Sequence, residues 1–234
     1  MSIAVAQVKQ DGMSLQHLNE RFQRAYVVVH AAVQQNGLSL EFADSALQAD
    51  GDIALAAVQQ NGQALQWVPS QLQLDRRDIV LAAVQQDGLA LAWVETYYLA
   101  DKDVVSAAVQ QNGLALQYAD RRLRDSAAVA MLAVQQNGLA LQYTTLLRNH
   151  GRICKAAVAQ NGLALRWVSQ NLQQCEDIVG KAVANCDEAA WFAGTNLRKR
   201  RTEAQLGSSR AEKRRLRAER HHARSAFGLA DPEL

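Results

Sequence analysis

The chain has 234 residues, of which 49% are hydrophobic, so it can bury a sizeable core. Its formal net charge of +2 is unevenly distributed: residues 197–234 carry 11 Lys/Arg and 5 Asp/Glu, whereas the remainder carries 14 basic and 18 acidic residues. The three cysteines lack CxxC spacing, nothing resembles a signal peptide, and no apolar run approaches the ~20 residues of a membrane helix. We therefore expect an intracellular protein, cytoplasmic or nuclear, without a membrane segment.

The sequence repeats about every 25 residues, eight times over. The clearest copies are IVLAAVQQDGLALAW from Ile79, VVSAAVQQNGLALQY from Val104 and ICKAAVAQNGLALRW from Ile153. A fixed period of this length indicates a solenoid, in which each unit buries its apolar face against its neighbours. The predicted fold is all-α: an α/α solenoid of about eight 25-residue two-helix repeats over residues 3–197, followed by a basic, partly helical or disordered C-terminal tail over residues 198–234.

The first helix of each unit carries an apolar stripe in which a β-branched residue stands five positions before a valine, with mostly alanines between them. The alanines allow neighbouring helices to approach closely. Asp50, Asp101 and Ser126 stand three residues before the β-branched position, where N-cap residues are expected. The β-branched residues are Ile3, Val28, Ile53, Ile79, Val104, Val129, Ile153 and Ile178. The valines are Val8, Val33, Val58, Val84, Val109, Val134, Val158 and Val183.

A glycine follows the valine by four residues in seven units, as Gly113 follows Val109. This position is typical of a left-handed residue that ends a helix, so we expect a positive φ at Gly113. A second short helix then carries a core leucine such as Leu116, an aromatic residue two positions later, and a tight return to the next unit. We expect this aromatic row to pack mainly in the core. It consists of His17, Phe42, Trp67, Trp93, Tyr118, Tyr143 and Trp167.

The eighth unit departs from the pattern, since Asp187 replaces the glycine, Glu188 the following leucine and Ala190 the core leucine. A terminal unit with a more polar outer face is typical of a capped repeat array. A leucine-rich repeat is disfavoured, because here the asparagine precedes the Leu-x-Leu pair and the alanine-rich segment is poor strand material.

An amide ladder recurs at the end of the first helix, for example as Gln110-Gln111-Asn112. These amides could hydrogen-bond a peptide or successive bases, or they could satisfy unpaired backbone groups in the last helical turn and bond to the neighbouring unit. Because the amides hardly vary between units, whereas a sequence-reading surface would vary, we favour the structural interpretation.

The segment AAVQQNGLALQYA, repeated at this spacing with a D-x-D-V-V lead-in, resembles the repeat of the domain of unknown function family numbered 4116. The resemblance covers residues 3–197. It implies repeated helical units and no established activity.

The positions between the aromatic residue and the next unit vary while the frame around them is constant. Such variation suits a tunable binding surface and equally suits unconstrained exposure to solvent. The candidate partner-binding residues there are Glu95, Tyr97, Asp120, Arg121, Arg122 and Gln170.

Catalytic and metal-binding motifs are missing from the sequence: it has no Ser/His/Asp order, no glycine-rich phosphate loop and no HExxH. His150 and Cys154 are four residues apart, but further metal ligands are lacking. Cys154 also occupies a stripe position that valine fills in other units, which favours burial. We therefore expect no enzymatic activity, no cofactor and no metal.

The tail contains a basic cluster, a Gly-Ser-Ser break and a predicted helix over residues 210–224, opened by a capping box of Ser209 and Glu212. This helix has almost no apolar stripe, so it could bind nucleic acid or an acidic partner, serve as a nuclear import signal, or be a solvated extension. The candidate nucleic-acid or import residues are Arg198, Lys199, Arg200, Arg201, Lys213, Arg214, Arg215 and Arg217.

The leading functional hypothesis is a non-catalytic scaffold that binds another, unidentified protein on the long face of the array. The alternative is a nucleic-acid-associated protein that binds electrostatically through the tail.

Overall fold

The structure, a computed structural model, describes residues 1–195 and 197. Every regular element in this part of the chain is helical. Eight α-helices of nine or ten residues alternate with shorter helices along it. They are α1 (Ser2–Gln10), α2 (Tyr26–Gln35), α3 (Gly51–Gln60), α4 (Arg77–Gln86), α5 (Lys102–Gln111), α6 (Ala127–Gln136), α7 (Gly151–Gln160) and α8 (Glu176–Asn185).

A six-residue 3₁₀ helix follows each of these α-helices, so the second helix of the predicted pair is a 3₁₀ helix rather than an α-helix. The 3₁₀ helices are Gly12–His17, Gly37–Phe42, Gly62–Trp67, Gly88–Trp93, Gly113–Tyr118, Gly138–Tyr143, Gly162–Trp167 and Asp187–Phe192. The return to the next α-helix is itself helical. The return helices are Glu20–Gln23, Ser45–Gln48, Ser70–Asp75, Thr96–Ala100, Arg121–Arg124, Leu147–Asn149 and Leu172–Gln174.

Aspartates begin two of the α-helices as the sequence predicts. The carboxylate of Asp50 accepts hydrogen bonds from the backbone N–H groups of Asp52 and Ile53, both at 3.0 Å. Asp101 does the same at the start of α5. Ser126 occupies the N-cap position of α6, but its side chain makes no capping hydrogen bond. The carboxylates thus satisfy amide donors that the first helical turn leaves unpaired.

The prediction of a left-handed glycine after each helix is wrong. The α-helix ends instead at an extended residue such as Asn112 (φ −145°, ψ 108°), whose side-chain oxygen accepts the N–H of Leu114 at 3.0 Å. Gly113 opens the 3₁₀ helix, and no described glycine has φ between +20° and +160°. A Cβ at Gly113 would lie closer than 3.0 Å to the carbonyl oxygen of Ala133 in the next α-helix. Glycine is therefore required by the close approach of the neighbouring unit.

The core lies between a layer of α-helices and a layer of 3₁₀ helices. Each α-helix contacts the next one along the chain, and each 3₁₀ helix contacts the next 3₁₀ helix. The valine and leucine positions point between the layers, as Val109 and Leu116 do with no exposed surface. Burying such side chains contributes roughly 1.5–3 kcal/mol each. The repeat period therefore specifies the packing.

The exposure of Ile3 in the first α-helix shows which residue position of a unit faces the preceding unit. Ile3 is 84% exposed, although its equivalents in the other units, including Ile178 at 3%, are buried. The two helices differ because α8 has a preceding α-helix, α7, to pack on, whereas the α-helix that α1 packs on is the following one, α2. Ile3 was expected to be buried like Val8, which has no exposed surface, and its exposure indicates that the β-branched position of the stripe faces the preceding unit.

Candidate interaction surface

The amide ladder is used inside the structure, as the structural interpretation predicts. Gln136 accepts a hydrogen bond from the N–H of Gly113 at 2.6 Å, and its NH₂ group donates to the carbonyl oxygen of Gln111 at 3.1 Å. The second glutamine of the pair repeats this bridge to the preceding unit, and in α8 a shorter amide makes it. The other bridging residues are Gln35, Gln60, Gln86, Gln111, Gln160 and Asn185. The hydrogen-bonding groups of these bridging amides are therefore used between neighbouring units rather than for binding a ligand.

A second set of polar side chains was missed. Gln173 donates to the carbonyl oxygens of Leu165 and Val168, at 3.1 and 3.0 Å, at the end of its own 3₁₀ helix. Gln23, Gln48 and Gln73 make corresponding bonds. The sequence does carry a signal for this set, because in four units a glutamine stands eight residues after the core leucine.

The return helices are joined into a continuous row. The N–H of Asp120 donates to the carbonyl oxygen of Leu99 at 2.9 Å. Asp125 accepts the N–H and the hydroxyl of Thr145, both at 2.7 Å. The N–H of Ser169 donates to the carbonyl oxygen of Arg148 at 2.8 Å. Residues that vary between units therefore lie side by side on one edge.

The predicted partner-binding residues fall into two places on this edge. Glu95 and Tyr97 belong to the return that precedes the one holding Asp120, Arg121 and Arg122, and these two returns are directly bonded. Gln170 is exposed but lies two returns further on, so the structure does not bring it into the same group.

Tyr97 is the most prominent member of the group. Its side chain is 73% exposed and packs edge-on against the ring of the buried Tyr98, with 5.1 Å between the ring centroids. A shallow depression of about 380 Å³ lies beside it, lined by Thr96, Tyr97, Ala100 and Asp101. An exposed tyrosine beside a depression can contact a partner at a low cost in side-chain entropy, because it has only two side-chain torsions.

The charged members have distinct roles. Asp120 accepts the N–H of Arg122 at 2.8 Å and so caps its own return helix, while the arginine side chains of this return are exposed at Arg121 and Arg122. Asp101 binds Arg77 of the preceding α-helix at 3.0 Å. Desolvation raises the pKa of Asp101, but hydrogen bonds from the N–H of Val104, from Arg77 and from the N–H of Asp103 outweigh it, so the pKa is lowered overall.

The aromatic row is less buried than expected. Trp93 is 46% exposed and Tyr118 is 37% exposed, while Trp67, Tyr143 and Trp167 are half-buried against the core. The reason is positional, because the row stands at the last residue of each 3₁₀ helix, where the chain leaves the core. Trp93 is fixed by its ring N–H, which donates to the side-chain oxygen of Gln63 at 2.8 Å. Rings of the row therefore border the edge formed by the returns.

Cys154 is buried, as its stripe position predicts. Burial raises the pKa of its thiol to about 11, and the thiol donates to the carbonyl oxygen of Arg148 at 3.2 Å. In residues 1–195 and 197, no group of three or more His, Cys, Asp or Glu side chains is placed to hold a metal ion. No helix in the same residues is both long and apolar enough to cross a membrane.

The candidate tail residues lie outside the described residues. They are Arg198, Lys199, Arg200, Arg201, Lys213, Arg214, Arg215 and Arg217.

Comparison with protein families returns one match. The domain of unknown function DUF4116 matches four overlapping segments, residues 28–73, 50–99, 76–124 and 101–148. No curated protein and no solved structure shows significant similarity to the chain. The four segments together span residues 28–148, just over half of the 234 residues, and they follow each other at the spacing of the repeat. The chain belongs to the DUF4116 family.

Proposed function

We propose that the chain is a non-catalytic scaffold, an α-helical solenoid of eight 25-residue units that binds another protein. One observation carries the proposal. The second amide of each pair hydrogen-bonds to the preceding unit, as Gln136 does, whereas the side chains that vary between units include exposed ones in neighbouring return segments, such as Tyr97 and Arg121. A constant frame with a variable exposed edge is typical of repeat proteins that bind extended partners.

The favoured contact region is the surface formed by Trp93, Tyr97, Tyr118, Arg121 and Arg122, here called the aromatic edge. Isolated exposed apolar residues are common on protein surfaces, but here three large aromatic rings are exposed within two neighbouring units. Aromatic and arginine side chains supply most of the binding energy at protein interfaces. The partner we expect is therefore a protein segment with apolar anchors.

A selection of displayed peptides against the intact chain tests this function. We expect Tyr97→Ser to weaken most selected ligands about tenfold, the equivalent of about 1.4 kcal/mol. Tyr26→Ser is the matched control, because Tyr26 is also exposed, at 44%, but lies in the second α-helix, away from the aromatic edge. Affinities that respond equally to both substitutions, or a selection that yields no ligand, would contradict the proposal.

Nucleic-acid association through the tail is the second candidate function. It is supported by the 11 basic and 5 acidic residues of residues 197–234. The test is to titrate labelled RNA and duplex DNA into the chain and into a variant with glutamine at Arg198, Lys199, Arg200 and Arg201. We expect affinity to fall steeply with salt, to be indifferent to sequence and to be lost in the variant. An affinity that the variant retains would argue against this function of the tail.

A further inference from the structure

The repeats differ from the tail in net charge, and the net charge also changes sign along the described part of the chain. Residues 1–112 contain 6 basic and 12 acidic side chains, residues 113–175 contain 7 and 2, and residues 176–195 contain 1 and 4. The net charges are therefore −6, +5 and −3. A strongly basic stretch lies between two acidic ones, and this pattern disappears when the array is counted as a whole.

Among the described residues, the arginines of the basic stretch form no ion pairs. In the acidic stretch Arg24, Arg76 and Arg77 each contact an aspartate within 4.0 Å. Within residues 1–195 and 197, no carboxylate oxygen lies within that distance of any arginine of residues 113–175. Those arginines are Arg121, Arg122, Arg124, Arg148, Arg152 and Arg166.

Two of these guanidinium groups converge on one ring. The guanidinium carbon of Arg148 lies 5.4 Å from the ring centroid of Trp167, and that of Arg166 lies 5.1 Å from it. Arg148 is held in place because it donates to the carbonyl oxygens of Thr144 and Gln142, at 2.9 and 2.6 Å. The Arg166 side chain is on the outside of its 3₁₀ helix and exposed.

The same sequence spacing of an arginine and an aromatic residue recurs one unit earlier. Arg124 stands 19 residues before Tyr143, the spacing that separates Arg148 from Trp167. The Nε atom of Arg124 is buried and has no hydrogen-bond partner among the described residues. One further unit back, the 37% exposed ring of Tyr118 is followed by the exposed Arg121 and Arg122. Each of these three consecutive units thus carries an aromatic ring and at least one arginine, and at Trp167 they are in contact.

We infer that the surface formed by Tyr118, Arg121, Arg122, Arg148, Arg166 and Trp167, here called the basic aromatic surface, binds single-stranded nucleic acid. Arginines attract the phosphates, while bases stack on the rings and on the guanidinium planes. An acidic peptide would use the charges but not a ring in every unit, so a polymer that offers both anions and flat bases fits better. This site lies on the repeats rather than in the tail. It shares Tyr118, Arg121 and Arg122 with the aromatic edge, so a protein partner bound there would compete with nucleic acid for these residues.

The test is a titration of labelled oligothymidine of about 15 nucleotides into the full chain, followed by fluorescence anisotropy at several salt concentrations. We expect the double variant Arg121→Gln, Arg166→Gln to weaken binding about tenfold. It should also reduce the slope of log affinity against log salt by about 1.4, at about 0.7 per lost phosphate contact. The matched control is Arg21→Gln, Lys102→Gln, which removes two exposed positive charges from the acidic stretch and should change affinity less than about twofold.

Stacking has its own readout. Trp167→Leu should weaken oligothymidine binding about tenfold but leave an abasic oligomer of equal length unaffected, whereas Trp167→Phe should restore much of the loss. Circular dichroism of each variant checks that it folds.

Three results would overturn the inference. They are equal losses in the test and control double variants, equal affinity for the abasic and base-bearing oligomers, and a loss of binding only when Arg198 to Arg201 are neutralised. A poly-glutamate peptide that competes as well as the oligomer would assign the surface to an acidic protein instead.

Discussion

Replacing Gly113 by alanine tests the close contact between neighbouring units. The added Cβ would lie well inside 3.0 Å of the carbonyl oxygen of Ala133. It would also lie 3.0 Å from the side-chain oxygen of Gln136, which accepts the N–H of Gly113 at 2.6 Å. Overpacking costs about 1–3 kcal/mol. Loss of one hydrogen bond adds about 0.5–1.5 kcal/mol. Reduced freedom of the unfolded chain offsets about 0.4–1 kcal/mol, because φ is not positive here. The net expected loss is about 2 kcal/mol.

Urea unfolding followed by circular dichroism measures this loss. With a slope of about 2 kcal/mol per M, the midpoint should fall by about 1 M. Gly151→Ala is the matched control, because nothing lies within 4 Å of a Cβ added at that first residue of α7. It should leave stability unchanged or raise it by up to about 1 kcal/mol. A Gly113→Ala variant as stable as the wild type, or a control that loses as much, would refute the steric explanation.

Three further predictions concern the core, the amide ladder and an ion pair. Leu116 has no exposed surface, so Leu116→Ala should lower the free energy of unfolding by about 2–5 kcal/mol in urea denaturation; a loss below about 0.5 kcal/mol would contradict its place in the core. Gln136→Ala leaves a backbone donor and a backbone acceptor unpaired and should cost about 1–3 kcal/mol, whereas the exposed Gln135→Ala should cost less than about 0.5 kcal/mol. Because the pKa of Asp101 is lowered in the folded chain, its contribution to stability is complete above its ordinary pKa of about 4 and is lost as pH falls through the lowered value. Thermal unfolding between neutral and acid pH should therefore show a smaller acid loss in Asp101→Asn; an unchanged acid loss would show that this carboxylate is not linked to folding.

The periodic part of the fold could be predicted because the same pattern of apolar, amide and glycine residues occurs in successive units. The spacing of Val109 and Leu116 fixes which faces are buried, and the near-constant amides indicate a structural role. The role of the glycine was predicted wrongly because two different structural requirements both explain a glycine four positions after the valine. The choice between a left-handed stop and close contact depends on Ala133, which belongs to the next unit. Local sequence alone does not contain that information.

The surface was harder to predict for the same reason. The arginines of the basic aromatic surface are distributed over three units, and Arg148 and Arg166 meet only because a return and the following 3₁₀ helix lie side by side around Trp167. The position of the Trp93 ring likewise depends on the preceding unit, since its N–H donates to Gln63. In both cases the residue types were visible in the sequence, and their proximity came from tertiary packing.

The amide ladder also gives the array a direction and a rule for changing its length. In six of the seven junctions a glutamine accepts the N–H of the glycine in the preceding unit, and in the seventh Asn185 does so. When a whole number of units is added or removed, the amide and the glycine still face each other where the remaining units meet. When part of a unit is added or removed, a residue with a Cβ takes the position where only glycine fits. Lineages that lengthen or shorten this protein should therefore do so in steps of one repeat, and engineered variants can be extended by the same rule.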